Sequence, residues 1–216
     1  MAFDRDMRRV VLATLLMGSV ASAAPALPAH YAAMFDKGKT WVYDWKLVTF
    51  GAEDDKTGKP TRNTERGKVT CKVVDVTRRA GAAVAHITCD QELGRKFVVP
   101  GYWVGTDKGL WRLGESEQAP DADAIKAALK EPAQIAGAPN VFEKVTHVEF
   151  FDKNHNTILT GVRESPKIKG WCAYEDTANA DPDGGHVATC YGPGIGIESG
   201  YDDVGGELNR LEYTAR

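Results

Sequence analysis

The chain has 216 residues, with 27 Lys and Arg against 30 Asp and Glu, and a formal net charge of −3. A weakly acidic protein is not expected to bind nucleic acid, because the phosphate backbone requires clustered Lys and Arg. The length favours a single domain.

The first residues form a pattern typical of a secretory leader. Three arginines precede an eleven-residue apolar run, Val10 to Val20, which is followed by the small residues of a cleavage site. The run is shorter than the about 20 apolar residues that span a bilayer, and no later stretch is longer or less charged. The sequence therefore predicts a signal peptide over residues 1–23, one β domain over residues 24–216 without a transmembrane segment, and a periplasmic or secreted location.

The first predicted strand, residues 40–50, has a large aromatic face. Its odd positions Trp41, Tyr43 and Trp45 alternate with smaller or polar side chains, which is the period of two expected of a strand. Such a face must be buried or must bind something. Residues 51–63 are rich in Gly, Asp, Lys and Thr, and an exposed loop is expected there.

Four cysteines in an exported chain predict two disulfides, for which three pairings exist in principle. Cys71 and Cys89 are almost equally far from a turn at residues 80–81, so a hairpin closed there brings them within disulfide reach. Cys172 and Cys190 bracket a turn-rich segment in the same way. The spacing therefore favours these two pairs, and the absence of a C-x-x-C motif favours structural bridges over redox chemistry.

Two more features of the first half concern strand register. The adjacent apolar residues 73–74 break the alternation and predict a bulge in the hairpin that carries the first bridge. Strands are expected over residues 97–104 and 110–113, joined by a tight turn that contains Asp and Gly. Trp103 and Trp111 would then be close neighbours across the hairpin.

Only one segment predicts a helix convincingly. Residues 121–130 open with acidic residues, continue with good helix formers and end before a proline, while residues 31–36 allow a single helical turn. The remaining segments predict strands at residues 141–151 and 157–162, two strands within residues 171–201 that the second bridge joins, and a last strand around residues 207–213. This order predicts an all-β fold: an antiparallel curved sheet or incomplete barrel that wraps one short helix.

The motifs that suggest chemistry are each incomplete. The glycines of residues 192–196 lack the helix that a phosphate loop requires, and Ser199 is one residue out of register for a nucleophile elbow. The histidines lack metal-ligand spacing, and residues 181–183 lack the further acids of a calcium loop. No catalytic residue, metal or cofactor is predicted; a dispersed acidic pair such as Glu143 with Glu149 is left open, because its separation depends on tertiary structure.

Three segments resemble a widespread group of uncharacterised bacterial exported proteins and lipoproteins. They are residues 31–43 with Gly38, Trp41 and Tyr43, residues 107–112, and residues 191–197 followed by Gly206, Glu207 and Leu208. Members of this group open on a G-x-x-W-x-Y strand and close on an apolar-Pro-Gly-x-Gly-apolar hairpin. The resemblance implies an envelope β domain similar in shape to the curved half-barrels of periplasmic lipoprotein carriers, and it implies no catalytic residue. This chain lacks the lipid-acceptor cysteine of the lipoprotein members.

Large aromatic side chains form the candidate ligand-binding set: Trp41, Tyr43, Trp45, Trp103 and Trp111. Such residues ordinarily build the core of a small β domain. If a curved sheet leaves part of this face open, they instead line an apolar groove for a lipid, an acylated ligand or an envelope protein. The sequence predicts a non-enzymatic exported β domain that binds a hydrophobic ligand or an envelope partner. A structural or adhesive module, and a hydrolase with a dispersed acidic site, are the alternatives.

Overall fold

The computed structural model describes most of the chain beyond the predicted leader. The described residues are 26–54, 56–136, 146–151, 157–164, 170–176, 185–203 and 209–216. The predicted signal peptide, the start of the strand predicted at residues 141–151, the acids of residues 181–183, and Glu143 lie outside them.

Strands dominate the described residues, and the helices are short. The strands are β1 (Thr40–Glu53), β2 (Pro60–Arg79), β3 (Ala82–Cys89), β4 (Gly101–Gly105), β5 (Gly109–Gly114), β6 (Ile135–Ala136), β7 (Thr146–Phe151), β8 (Thr157–Glu164), β9 (Trp171–Asp176), β10 (His186–Gly192), β11 (Gly196–Asp202) and β12 (Asn209–Ala215). The helices are α1 (Ala29–Ala32), which continues as a 3-10 turn over Ala33–Phe35, and α2 (Ala122–Ala128). No helix in the described part of the chain is long and apolar enough to cross a membrane.

All twelve strands belong to one antiparallel sheet that curls into a half-barrel. The order across the sheet is β6-β5-β4-β3-β2-β1-β12-β11-β10-β9-β8-β7. The first and last strands therefore pair in the middle, and each half of the chain extends outward from them as consecutive hairpins. The predicted class, an antiparallel curved sheet or incomplete barrel, is confirmed.

Two of the predicted local structures need correction. The described residues of segment 51–63 are exposed as predicted, but the loop is shorter than expected, because β1 runs to Glu53 and β2 begins at Pro60, with an irregular register between Phe50 and Glu53. Its polar composition reflects two solvent-facing sides rather than an absence of strands. The strand predicted at residues 97–104 begins only at Gly101, and the residues before it follow a different course, described below.

The sheet has a large apolar cluster on one side, called here the inner face, and a smaller one on the other. The α1 segment lies on the inner face, where Tyr31 and Met34 are buried in the large cluster. The outer face is covered near β3 and β4 by α2, whose Ile125 packs against Val84 and Val104. The half-barrel therefore encloses the N-terminal helical turn, and the predicted helix packs outside it.

Both disulfides join the predicted partners, Cys71 with Cys89 and Cys172 with Cys190, each with a Cα–Cα distance of 4.0 Å. The first disulfide forms only because the predicted bulge is present. An uninterrupted ladder from the turn would place Cys71 opposite residue 90, and the one extra residue, Val74, moves it opposite Cys89. The hairpin turn itself uses positive φ at Ala80 and Gly81, as a two-residue turn that matches strand twist requires.

Replacing Cys172 and Cys190 together by serine is expected to lower the free energy of unfolding by about 3 kcal/mol, because the bridge restricts the unfolded chain. Denaturant unfolding measures the loss. Peptide mapping without reduction should still find Cys71 joined to Cys89. A linkage between Cys71 and Cys190 in the native protein would contradict the pairing.

Candidate ligand-binding site

The structure divides the predicted aromatic set between the two faces of the sheet. Trp41, Tyr43 and Trp103 are buried in the inner cluster, at 5%, 1% and 0% exposure. Trp45 lies on the same face and is half-buried. Its ring covers Gly67, where a Cβ would come within 2.6 Å of the indole. The three buried side chains form part of a filled core, whereas Trp45 packs against its edge and also lines an open hollow of about 400 Å³.

Trp111 belongs to the opposite face, so the expected contact with Trp103 is wrong. A register shift between β4 and β5 places Trp103 opposite Arg112, and Trp111 opposite Val104. Trp111 packs against the outer cluster, and its Nε1 donates a hydrogen bond to the carbonyl of Glu131 at 2.9 Å. Adjacent residues in a strand point to opposite faces, so Arg112 lies on the inner side.

Part of the inner face is covered by a segment without helix or strand, residues 90–100, which we call the strap. It runs from the first disulfide at the end of β3 to the start of β4. Its side chains Phe97 and Val99 are each 1% exposed and belong to the inner cluster. The inner face is therefore closed here by an irregular segment of the chain itself.

Phe97 is the main apolar contact of the strap. Its ring packs edge-on against Tyr213 and Tyr43, with centroid distances of 4.8 and 5.8 Å. These T-shaped contacts add to the burial of the ring. Tyr43 and Tyr213 come from β1 and β12, so the strap lies over the junction between the two halves of the sheet.

Side chains satisfy the strap carbonyls that no strand partner can reach. Arg112 donates from Nε to the carbonyl of Val98 at 2.9 Å and from Nη2 to that of Pro100 at 3.0 Å. Trp103 Nε1 donates to the carbonyl of Val99 at 3.0 Å. Buried backbone oxygens require such partners. The strap is therefore held to the sheet by hydrogen bonds from side chains.

Lys96 attaches the strap to the C-terminal half of the sheet. Its ammonium group donates to the carbonyl of Asn209 at 2.9 Å and lies 3.2 Å from a carboxylate oxygen of Asp202. The lysine side chain is only 8% exposed and the aspartate 18%. A buried ammonium is tolerated because it has these partners.

An open hollow of about 660 Å³ lies between the strap, the end of β3 and the residues that follow β5. Its apolar lining includes Ile87, Leu93, Phe97 and Pro100, while its polar lining includes the exposed Glu117 and other charged side chains. This volume is within the range of small-molecule sites, and an apolar wall with a polar rim is their usual composition. The hollow and the strap together form the candidate site.

The buried tyrosines beside the strap are polar but not ionised. Burial raises the pKa values of Tyr43, Tyr191 and Tyr213 well above the ordinary tyrosine value of 10. The Tyr43 hydroxyl donates to the carbonyl of Ile197 at 2.9 Å, which fixes β1 to the inner side of β11. Neutral phenols add no charge beside Arg112 and the Lys96–Asp202 pair.

The glycine-rich residues 192–196 and the nearby Asp203 have structural roles. Residues 192–196 join β10 to β11 as a hairpin, with Gly194 and Gly196 at positive φ. Asp203 accepts hydrogen bonds from the Tyr201 hydroxyl and the His186 backbone, both at 2.5 Å. Among the described residues, no group of three His, Cys, Asp or Glu side chains is arranged to hold a metal ion.

The chain matches no known protein family and no curated protein sequence.

Sequence reasoning located the aromatic face but missed the strap. Phe97 and Val99 alternate as in a strand, so their pattern predicts pairing rather than a crossing segment. The available signal was local: Gly94 and Gly101 adopt positive φ near the two ends of the apolar stretch, and Pro100 precedes the second of them. No pattern in the sequence indicates that Arg112 donates hydrogen bonds to the strap carbonyls.

Proposed function

We propose that this protein is a non-enzymatic exported β domain that binds a hydrophobic ligand with a single acyl or similar chain. The observation that carries the proposal is the open hollow of about 660 Å³ beside the part of the inner face that the strap covers. Two disulfides support the predicted extracytoplasmic location, since such bridges persist in oxidising compartments. The resemblance to exported and lipoprotein-carrier-like β domains is part of the same proposal.

The ligand would enter the hollow with its apolar part against the half-buried Leu93 and Pro100, behind which Ile87 and Phe97 are each only 1% exposed. Leu93, Ile87 and Phe97 continue directly into the inner cluster. Burial of apolar surface would provide the binding free energy, at roughly 25 cal/mol per Å². The polar rim would keep a ligand headgroup in water. An envelope protein with an exposed apolar side chain is the other occupant that fits this chemistry.

Binding is tested with oleic acid and lysophosphatidylcholine as probes. We expect native mass spectrometry of the purified protein to show a bound probe, and tryptophan fluorescence to change on titration, because Trp103 is anchored to the strap. Leu93→Glu should weaken binding by at least about tenfold, since it places a charge in the apolar lining.

Leu113→Glu is the matched control. Leu113 is also half-buried but packs against the outer cluster, so its replacement should leave probe affinity unchanged. Absence of any bound species and of any fluorescence change would contradict the proposal, and would favour the structural or adhesive module. Equal loss of affinity in both variants would indicate that the hollow is not the binding site.

A further inference from the structure

Positive charge is concentrated in the ribbon formed by β1 and β2. Residues 56–72 carry six of the 27 Lys and Arg of the chain and only one of its 30 Asp and Glu. The whole protein is weakly acidic, so this local excess opposes the net charge. It begins in the segment 51–63, for which the sequence predicts a loop, and continues into the strand that carries Cys71.

Strand pairing places the strongest part of this charge on one side of the ribbon. The β1–β2 register runs without interruption from Thr40 opposite Lys72 to Phe50 opposite Arg62. Every second residue of β2 therefore faces outward: Arg62, Thr64, Arg66, Lys68, Thr70 and Lys72. The alternating residues Val69 and Cys71 are fully buried on the inner face. The four cations are exposed, and we call them the basic row.

Neighbouring acids do not neutralise the basic row. Asp44 stands opposite Lys68, but its carboxylate is bound by Arg216. Glu212 on β12 pairs with Lys46 at 3.1 Å. Within the described ranges, no ion pair involves a member of the basic row. These four charges are therefore available to a partner.

Protection of an open sheet edge explains only part of this pattern. Among the described strands, β2 has no second partner before Cys71, and lysines commonly prevent such edges from pairing with other chains. Lys72, however, lies between Thr40 and Thr88, in the interior of the sheet. The charge of Lys72 continues the row where there is no edge to protect, so edge protection alone does not account for the row.

We propose that the outer face of the β1–β2 ribbon docks on an anionic lipid bilayer, with the basic row contacting lipid phosphates. The row spans about 33 Å along one strand, and the exposed Lys56 and Lys59 at the tip of the ribbon extend it. Arg66 borders a shallow, open hollow of about 400 Å³, and Arg62, Lys68 and Lys72 are exposed on the sheet surface. A planar array of cations fits a planar array of phosphates better than it fits a single acidic peptide. This docking is independent of ligand binding.

Vesicle co-sedimentation tests the proposal. Mature protein should bind vesicles of equal parts phosphatidylglycerol and phosphatidylcholine, but not vesicles of phosphatidylcholine alone. Each cation near an anionic surface contributes roughly a fivefold gain in binding, so Arg66→Glu with Lys68→Glu should weaken binding at least about 25-fold. Added salt should weaken wild-type binding, since the screening length is only about 8 Å at physiological ionic strength.

The double variant Lys108→Glu with Lys130→Glu is the control, because it changes net charge equally at two exposed sites away from the ribbon. It should retain most of the vesicle binding. Melting temperatures near that of the wild type would show that both variants fold. Equal loss in the two variants, equal binding to neutral vesicles, or binding to polyglutamate in place of anionic vesicles would overturn the proposal.

Discussion

Replacing Phe97 by alanine is expected to lower the free energy of unfolding by about 3–5 kcal/mol, the usual cost of truncating a buried aromatic ring. Phe97 is 1% exposed and packs edge-on against Tyr43 and Tyr213. Its loss leaves a cavity between the strap and the strands where the two halves of the sheet meet. Denaturant unfolding followed by circular dichroism measures the change.

Two further variants test whether the loss of stability comes from the packing of the Phe97 ring or would follow from any substitution in the strap. Phe97→Leu retains much of the volume and should cost markedly less than alanine. Val98→Ala changes a half-buried neighbour whose carbonyl still accepts from Arg112, and it should cost less than either. If Phe97→Ala has the same denaturant midpoint of unfolding as the wild type, then Phe97 does not close the inner face.

Lowering the pH from about 7.5 to 5 is expected to reduce the free energy of unfolding by about 2 kcal/mol through His30 alone. Burial lowers the pKa of His30 from its ordinary value of 6.5 to about 4. Between these values the unfolded chain binds a proton that the folded protein does not. The stabilising contribution is therefore fully present above about pH 6.5 and is progressively lost as the pH falls toward 4.

The position of His30 explains this behaviour. The residue is fully buried at the start of α1, and its ring packs against Trp171 at 4.3 Å and against Tyr31 at 4.8 Å. Protonation would place a charge between two aromatic rings and away from water.

His30→Phe and His30→Gln test the assignment, because neither side chain titrates. Both variants should lose the decline in stability between about pH 6.5 and 4, whatever their absolute stability at neutral pH. Denaturant titrations at several pH values supply the curves. Persistence of the wild-type slope in both variants would assign the acid sensitivity to another group.

The local sequence pattern was sufficient to predict the structure wherever a strand pairs with the next strand along the chain. Both disulfides, the hairpin turn at residues 80–81 and the extra residue Val74 were predictable, because a strand alternates with a period of two and a hairpin pairs residues by their distance from the turn. Asp121 likewise caps α2 as its residue type predicts, accepting from the backbone of Asp123 at 3.0 Å and Ala124 at 2.8 Å. The fold class followed from these elements.

Other features required contacts between residues far apart in the chain. The sequence alone determined that the protein is a series of antiparallel hairpins with two bridges and an aromatic inner side. Only the tertiary structure decided that β1 pairs with β12, that the strap fills part of the inner face, and that Trp111 lies outside. Those outcomes depend on which apolar surfaces meet and which carbonyls find a donor such as Arg112, and periodicity within one strand carries no information about either.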